Sequence, residues 1–240
     1  MSFKIQQIDN LGNRAMMITL DGPAGSGKST VARRLAERLG WEYLQTGWMY
    51  RAIAWAGLQA GVDWNRPEEL EKIAATNRLR WEGKRLFWEN RDITPELETQ
   101  RVTEVTRYAA GNPAIREILT RKQREYVRGR NCITEGRDQG TVVFPDAELK
   151  IYLDASPQER ARRRWEQKRQ RGETADYETL LQAMQKRDRE DAARTCAPLK
   201  KADDAVVLRT DGLCVEEVVE RIVAALEEVR KRRSSEEKEG

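Results

Sequence analysis

The chain has 240 residues, 39 % apolar and 35 % charged, with a net charge of +4 and a pI of about 9.0. It holds no histidine and only three cysteines, Cys132, Cys196 and Cys214, far apart in sequence. His-based triads, most zinc chemistry and a disulfide framework are thereby removed, leaving Lys, Arg, Asp, Glu, backbone amides and a hard cation to carry any catalysis. No apolar run approaches the ~20 residues that span a bilayer. The opening MSFKIQQIDNLGNRA lacks the apolar core of a secretory signal, so the expected location is cytoplasmic. The mild positive excess suits anionic ligands, nucleotides or nucleic acid alike.

Residues 1–14 are polar and aperiodic and read as a loose extension. The run AMMITL at 15–20 stops at Asp21-Gly22 as a buried strand does. In 28–39, Val31, Leu35 and Leu39 share a helical face, and Gly40 is a fitting stop. A second strand is predicted at 41–44 and a helix at 48–59. The next stretch, 61–112, changes texture. Asn65 and Pro67 open a helix, LRWEGKRLFWEN reads as a hairpin around Glu82-Gly83-Lys84, and Thr94-Pro95 starts another helix. A basic helix follows from Pro113. Further strands are predicted at 131–135, 149–154 and 205–209, and helices at 157–171 and 177–194. A last helix puts Val215, Val218, Val219, Ile222, Leu226 and Val229 on one stripe, and 231–240 reads as a frayed, charged tail.

Five short apolar strands separated by helices imply an α/β fold, with a parallel sheet covered on both faces. Ligands of such sheets bind beyond the carboxyl ends of the strands. The loops after Leu20, Leu44, Glu135, Asp154 and Arg209 are therefore the ones to inspect. The first, starting at Gly22 and ending GKS at Gly27-Lys28-Ser29, matches GxxxxGK(S/T) with a strand before it and a helix after it. Its amides and the helix N-terminus wrap a phosphate, Lys28 supplies a point charge, and Ser29 is a ligand for Mg²⁺. A nucleoside triphosphate is the implied ligand.

After the third strand, Arg137-Asp138 on a Gly-flanked loop offers a phosphate clamp beside an acceptor. Arg187, Asp191 and Arg194 fall at i, i+4 and i+7 and share a helix face. The helix at 157–171 carries Arg160, Arg162, Arg163, Arg164, Lys168, Arg169 and Arg171. That is a stripe for nucleic acid, or a mobile lid over a triphosphate.

The stretches DGPAGSGKST, TGWMYRAIA, GRDQGTVVFPDAELKIYLDAS, ERARRR, KRDREDAART and DAVVL resemble bacterial cytidylate kinases, nucleoside monophosphate kinases of the P-loop class. The resemblance covers residues 15–230. It implies a P-loop NTPase-like three-layer α/β/α fold with a five-stranded parallel sheet and a single kinase domain at 15–230. The core would be 15–60, 113–156 and 186–230, the monophosphate-binding insertion 61–112, and the lid 157–185. It also implies transfer of the ATP γ-phosphate to CMP or dCMP. Carried over by position, Gly22, Pro23, Ala24, Gly25, Ser26, Gly27, Lys28, Ser29 and Thr30 would hold ATP with Mg²⁺. Thr46, Arg51, Arg116, Arg137, Asp138, Arg187, Asp191 and Arg194 would hold CMP. Lys28, Arg137, Arg187 and Arg194, with Arg160, Arg163 and Arg164 of the lid, would serve the transferring group. A monomer without nucleic-acid or membrane partners is expected.

Four departures stand against the family pattern. Gln45 replaces an acid expected near Mg²⁺. Trp48 replaces a small residue, either narrowing the acceptor pocket or packing at the insertion's hinge. Arg107 falls where a serine would meet the cytosine amino group, and Arg209 where an Asp is common. A P-loop kinase for another acceptor, a nucleotide-binding homologue with reduced activity and a nucleic-acid ATPase are the competing readings.

Overall fold

The computed structural model describes residues 15–76 and 78–239; the predicted extension at 1–14 lies outside them. Five strands form one parallel sheet: β1 (Met17–Asp21), β2 (Glu42–Gln45), β6 (Cys132–Gly136), β7 (Leu149–Asp154) and β8 (Val206–Arg209). Their order is β2-β6-β1-β7-β8, with β1 at the centre. The register brings Asp21 level with Gly136, and Gln45 level with Glu135. The ends of three neighbouring strands thus finish together, where a ligand is expected.

Burial on both faces explains the apolar runs of β1, β6 and β7, while edge strand β8 leaves Val206 and Val207 exposed. On one face Ile18, Leu20, Ile133 and Ile151 pack on Val31 and Leu35 of α1 (Lys28–Leu39). The same cluster takes in Val218, Val219, Ile222 and Leu226 of α8 (Val215–Glu239). On the other, Met17, Leu44 and Cys132 meet Met49 and Ile53 of α2 (Thr46–Ala60), and Ile115 and Leu119 of α5 (Pro113–Val127). Each such side chain contributes about 1.5–3 kcal/mol by leaving water. The three cysteines are free thiols.

Local signals set most helix ends. Asn112 Oδ1 accepts from the Ile115 amide at 3.1 Å ahead of Pro113, and Gly40 closes α1 at φ +66. The insertion holds α3 (Pro67–Ala75), the hairpin β3 (Leu79–Glu82) and β4 (Arg85–Trp88), and α4 (Gln100–Ala110). Between β4 and α4 lies β5 (Arg91–Asp92), which the sequence does not signal. The helix expected at Thr94-Pro95 is a single 3₁₀ turn, Thr94–Glu96. There the Thr94 hydroxyl accepts from the Leu86 amide at 2.8 Å instead of capping a helix.

Helices α6 (Pro157–Gln170) and α7 (Tyr177–Ala192) match expectation within two residues. The tail does not: α8 continues as helix through Glu239. Arg233 pairs there with Glu148 at 2.6 Å, and Glu148 also accepts the Met17 amide at 2.6 Å. Among the described residues no helix is long and apolar enough to cross a membrane.

Candidate active site

The loop between β1 and α1 turns back on itself at glycines with positive φ. A Cβ on Gly22 would lie 2.0 Å from the Leu153 carbonyl oxygen, so only glycine fits there. Gly27, at φ +93, turns the chain into α1 and points its amides outward from the helix start. Lys28 is 5 % exposed, and its ammonium donates to the Pro23 carbonyl at 2.7 Å. Burial, then Arg137, pushes its pKa well below the usual lysine range, against the pull of Glu135 and Asp21.

Ser29 Oγ donates to Glu135 Oε1 at 3.1 Å. A hydroxyl and a carboxylate facing each other are hard oxygen donors of the type that suits Mg²⁺. Thr46 Oγ1 donates to the Glu135 carbonyl at 2.7 Å, tying the start of α2 to β6. Gln45 ends β2 one strand over, so Glu135 is the carboxylate that meets Ser29. The sequence reading passed over Glu135; an acid ending the strand beside β1 was the signal that could have found it.

Beyond β6 the chain coils into a short π-turn, Gln139–Val143. Buried Asp21 holds it by accepting from the amides of Gln139 at 2.9 Å and Gly140 at 2.7 Å. Burial pushes the Asp21 carboxyl up to about 6, although both amides pull it down. This fixes Arg137 and Asp138. Asp138 is buried and ion-paired to Arg116 of α5. Arg116 also donates to the Ala110 carbonyl at 3.0 Å, and its guanidinium lies 5.2 Å above the Tyr50 ring.

Arg137 Nε donates to Asp191 Oδ2 at 2.9 Å, and Arg194 donates to the other oxygen, Oδ1. One carboxylate, 2 % exposed, thus holds two guanidiniums. Desolvation, then Arg137, lowers the Arg187 pKa to about 10, with Asp191 opposing. Arg187 lines the open cleft beside them. Arg51 donates to the Leu97 carbonyl at 2.8 Å and to Thr103 Oγ1 at 2.7 Å. Its pKa is lowered by burial; Glu98 opposes this and Arg164 of α6 adds to it.

Among the described residues one cleft of about 1300 Å³ joins these parts, lined by Lys28 and Ser29 and by Arg51, Arg116 and Arg137. Thr46, Asp138, Arg163, Arg164, Arg187, Asp191 and Arg194 line it too. Arg160 does not. It is 4 % exposed, paired with Asp188 at 2.6 Å, and donates to the carbonyls of Ala155 and Ala24 at 3.0 Å. It braces α6 and α7 against the phosphate loop, in place of the expected position on the transferring group. Arg163 reaches Glu159 at 2.9 Å and Thr210 Oγ1 at 3.0 Å, beside Gly27.

Arg107 does not line the cleft either. It donates to the Tyr108 hydroxyl at 3.2 Å on the surface, while Thr103 and Thr106 of α4 line the cleft. Trp48 stacks on Trp81 of β3 with ring centroids 5.8 Å apart and planes 5° apart. The hinge-packing reading fits that geometry, although Trp48 also lines the cleft. Arg209 ends β8; nothing in the structure explains it.

The profile of the family described as Cytidylate kinase matches residues 18–228. This chain belongs to the cytidylate kinase family. A cytidylate kinase of Rhodopirellula baltica is 47 % identical over 213 residues, covering 89 % of this chain and 93 % of that one. One from Caldanaerobacter subterraneus subsp. tengcongensis is 40 % identical, covering 89 % and 96 %. A solved structure of an uncharacterised Eubacterium ventriosum protein superposes with a TM-score of 0.51 at 15 % identity, covering 90 % of this chain and 99 % of that one. It supports the fold alone.

Proposed function

We propose that this cytidylate kinase family member transfers the γ-phosphoryl group of ATP to CMP or dCMP. The carrying observation is the pair Arg137 and Arg194 on Asp191, lining one cleft with Lys28. An oxygen of the acceptor's phosphate attacks the γ-phosphorus, and the bond to the β–γ bridging oxygen breaks. Such transfer needs alignment and charge neutralisation more than a strong base, which suits a chain without histidine. The phosphate-loop amides and Lys28 hold the donor's phosphates. Arg51, Arg137, Arg187 and Arg194 hold the acceptor's phosphate and stabilise charge that spreads over the transferring oxygens. Arg116 and Asp138 offer a donor and an acceptor side by side for the cytosine edge, and a base with the opposite pattern sets donor against donor and acceptor against acceptor. Mg²⁺ bound with ATP would be held through Ser29 and Glu135 and supplies further neutralisation. The reading carries with it a monomeric, cytoplasmic enzyme.

The basic α6 fits a lid better than a nucleic-acid stripe. Arg162 is paired to Glu159 at 2.8 Å and Glu166 at 2.6 Å, and Arg160 to Asp188, so much of its charge is internally compensated.

The test is ADP formation with CMP, dCMP, UMP, AMP, GMP and shikimate as acceptors. CMP and dCMP are expected to lead; the proposal fails if both stay at background while another acceptor turns over. A second expectation concerns the cation. Gln45→Asp places a second carboxylate beside Glu135, so activity rises at sub-saturating Mg²⁺ while the saturated rate changes little. An unchanged Mg²⁺ dependence would refute the role given to the missing charge.

A further inference from the structure

Arg160 meets the phosphate loop at one backbone oxygen. Its Nη1 donates to the Ala24 carbonyl at 3.0 Å and pairs with Asp188 Oδ2 at 2.6 Å, while its Nε donates to the Ala155 carbonyl at 3.0 Å. The buried guanidinium is therefore held from three directions. The next loop residue, Gly25, lies directly under α6 and α7. A Cβ there would come 2.6 Å from Met184 Cε and 3.2 Å from Arg160 Cβ.

The Ala24–Gly25 peptide carries two groups of opposite use. In a trans peptide the carbonyl and the following N–H point in opposite directions. With the Ala24 oxygen turned to Arg160, the Gly25 N–H is turned away from it, and Gly25 lines the cleft where Arg160 does not. Gly25 has φ +80, and glycine passes between positive and negative φ at little cost. Its own backbone preference therefore does not hold the plane. Rotation of that plane would set a carbonyl oxygen against a phosphate in place of an amide. We propose that Arg160 is a positioning residue for the donor: by holding the Ala24 carbonyl it presents the Gly25 N–H to the ATP phosphates, and Asp188 holds Arg160 in place. Asp188 Oδ1 is buried without a hydrogen-bond partner among the described residues, so its pairing with Arg160 runs through Oδ2. Asp188 also shares a face of α7 with Met184 and Asp191. The helix that aims the acceptor's arginines thus also supports the donor loop. This rests on the reading of the phosphate loop as the ATP site, and the experiment separates the two.

Arg160→Met, Asp188→Asn and the double variant are compared with wild type. In Arg160→Met, KM for ATP rises about ten-fold, the equivalent of one hydrogen bond to a charged group, while KM for CMP stays within about two-fold. Asp188→Asn moves KM for ATP the same way by less, since the amide oxygen still accepts. Because the two residues act in series, the double variant binds ATP no worse than Arg160→Met. It also removes the carboxylate that Arg160→Met leaves unpaired, so it melts higher and serves in its place if the single variant folds poorly. The direct readout is the Gly25 amide, followed by NMR of isotope-labelled protein. Added ATP shifts that signal downfield in wild type and leaves it almost unmoved in Arg160→Met. A shift as large in the variant as in wild type overturns the relay and leaves the donor reading standing. Equal rises in KM for ATP and CMP also overturn it, since they would show that Arg160 only braces the fold. If ATP does not bind the wild type, the donor reading itself fails.

Discussion

Replacing Lys28 by Met lowers kcat by about 10²–10³-fold, the range seen when one preorganised donor is removed from developing charge, yet leaves the fold no less stable. The two effects separate because Lys28 is buried with one close acceptor, the Pro23 carbonyl at 2.7 Å. Its charge is disfavoured in the empty loop and needed only when phosphate arrives. Met has a similar length and no charge to desolvate. The pH dependence carries a sign. The folded pKa of Lys28 lies below that of the unfolded chain, whose lysines titrate near ~10.4. Between those values the unfolded state binds the extra proton, so stability gains with rising pH, and the gain is complete above the unfolded value. Melting curves of wild type and Lys28→Met across that window isolate the contribution. The wild type closes its deficit as pH rises; a variant that melts lower throughout would overturn this account.

Asp191→Ala is expected to cost kcat/KM for CMP about 10²-fold, because two guanidiniums lose the group that aims them. The stability loss is about 1–3 kcal/mol, not larger, since Arg137 and Arg194 keep 19 % and 22 % exposure and water takes part of the load. A sharper signature is available. With Asp191 gone, Arg137, Arg187 and Arg194 crowd the cleft without their shared carboxylate, so sulfate should raise the variant's Tm more than the wild type's. Equal shifts across a sulfate series would show that Asp191 does not offset that charge.

The core strands were legible because burial on both faces leaves an apolar run, as at Leu149–Asp154. β5 was not, since two residues carry no period. The Thr94-Pro95 pattern was sound as local chemistry, but the hydroxyl was taken by Leu86, eight residues back. At the site, the i, i+4 spacing put Arg187 and Asp191 on one face of α7, whereas Arg194 lines the cleft from beyond the helix end at Ala192 rather than at the expected i+7 position. Charge alone did not separate Arg160 from Arg163 and Arg164, because its fate depends on Asp188 and the Ala24 carbonyl, which only the fold brings near. Arg107 and Thr106 are neighbours in sequence, but one residue is about 100° of helix rotation, enough to turn one outward and leave the other on the cleft. Asp21 ended a predicted strand and gave no sign that it would hold the turn bearing Arg137 and Asp138.

Helix α2 belongs to two apolar clusters at once. Met49, Tyr50 and Ile53 pack toward the sheet and α5, while Ala52, Trp55 and Ala56 pack against Leu86, Ile93, Leu97 and Val102 of the insertion. The hairpin is clasped from both sides, by Trp48 of α2 and by Tyr126 of α5 on Trp81. A lobe attached this way has no free pivot at Gly61. Swinging about that point would open a seam of buried aromatic and aliphatic surface, whereas sliding by an ångström or so along α2 would keep it closed. Any adjustment of the insertion to its ligand is therefore a shear between packed helices. Because Arg51 rides on the shared helix while its hydrogen-bond partners Leu97 and Thr103 belong to the insertion, the phosphate grip proposed for Arg51 is the element that such a slip would tune.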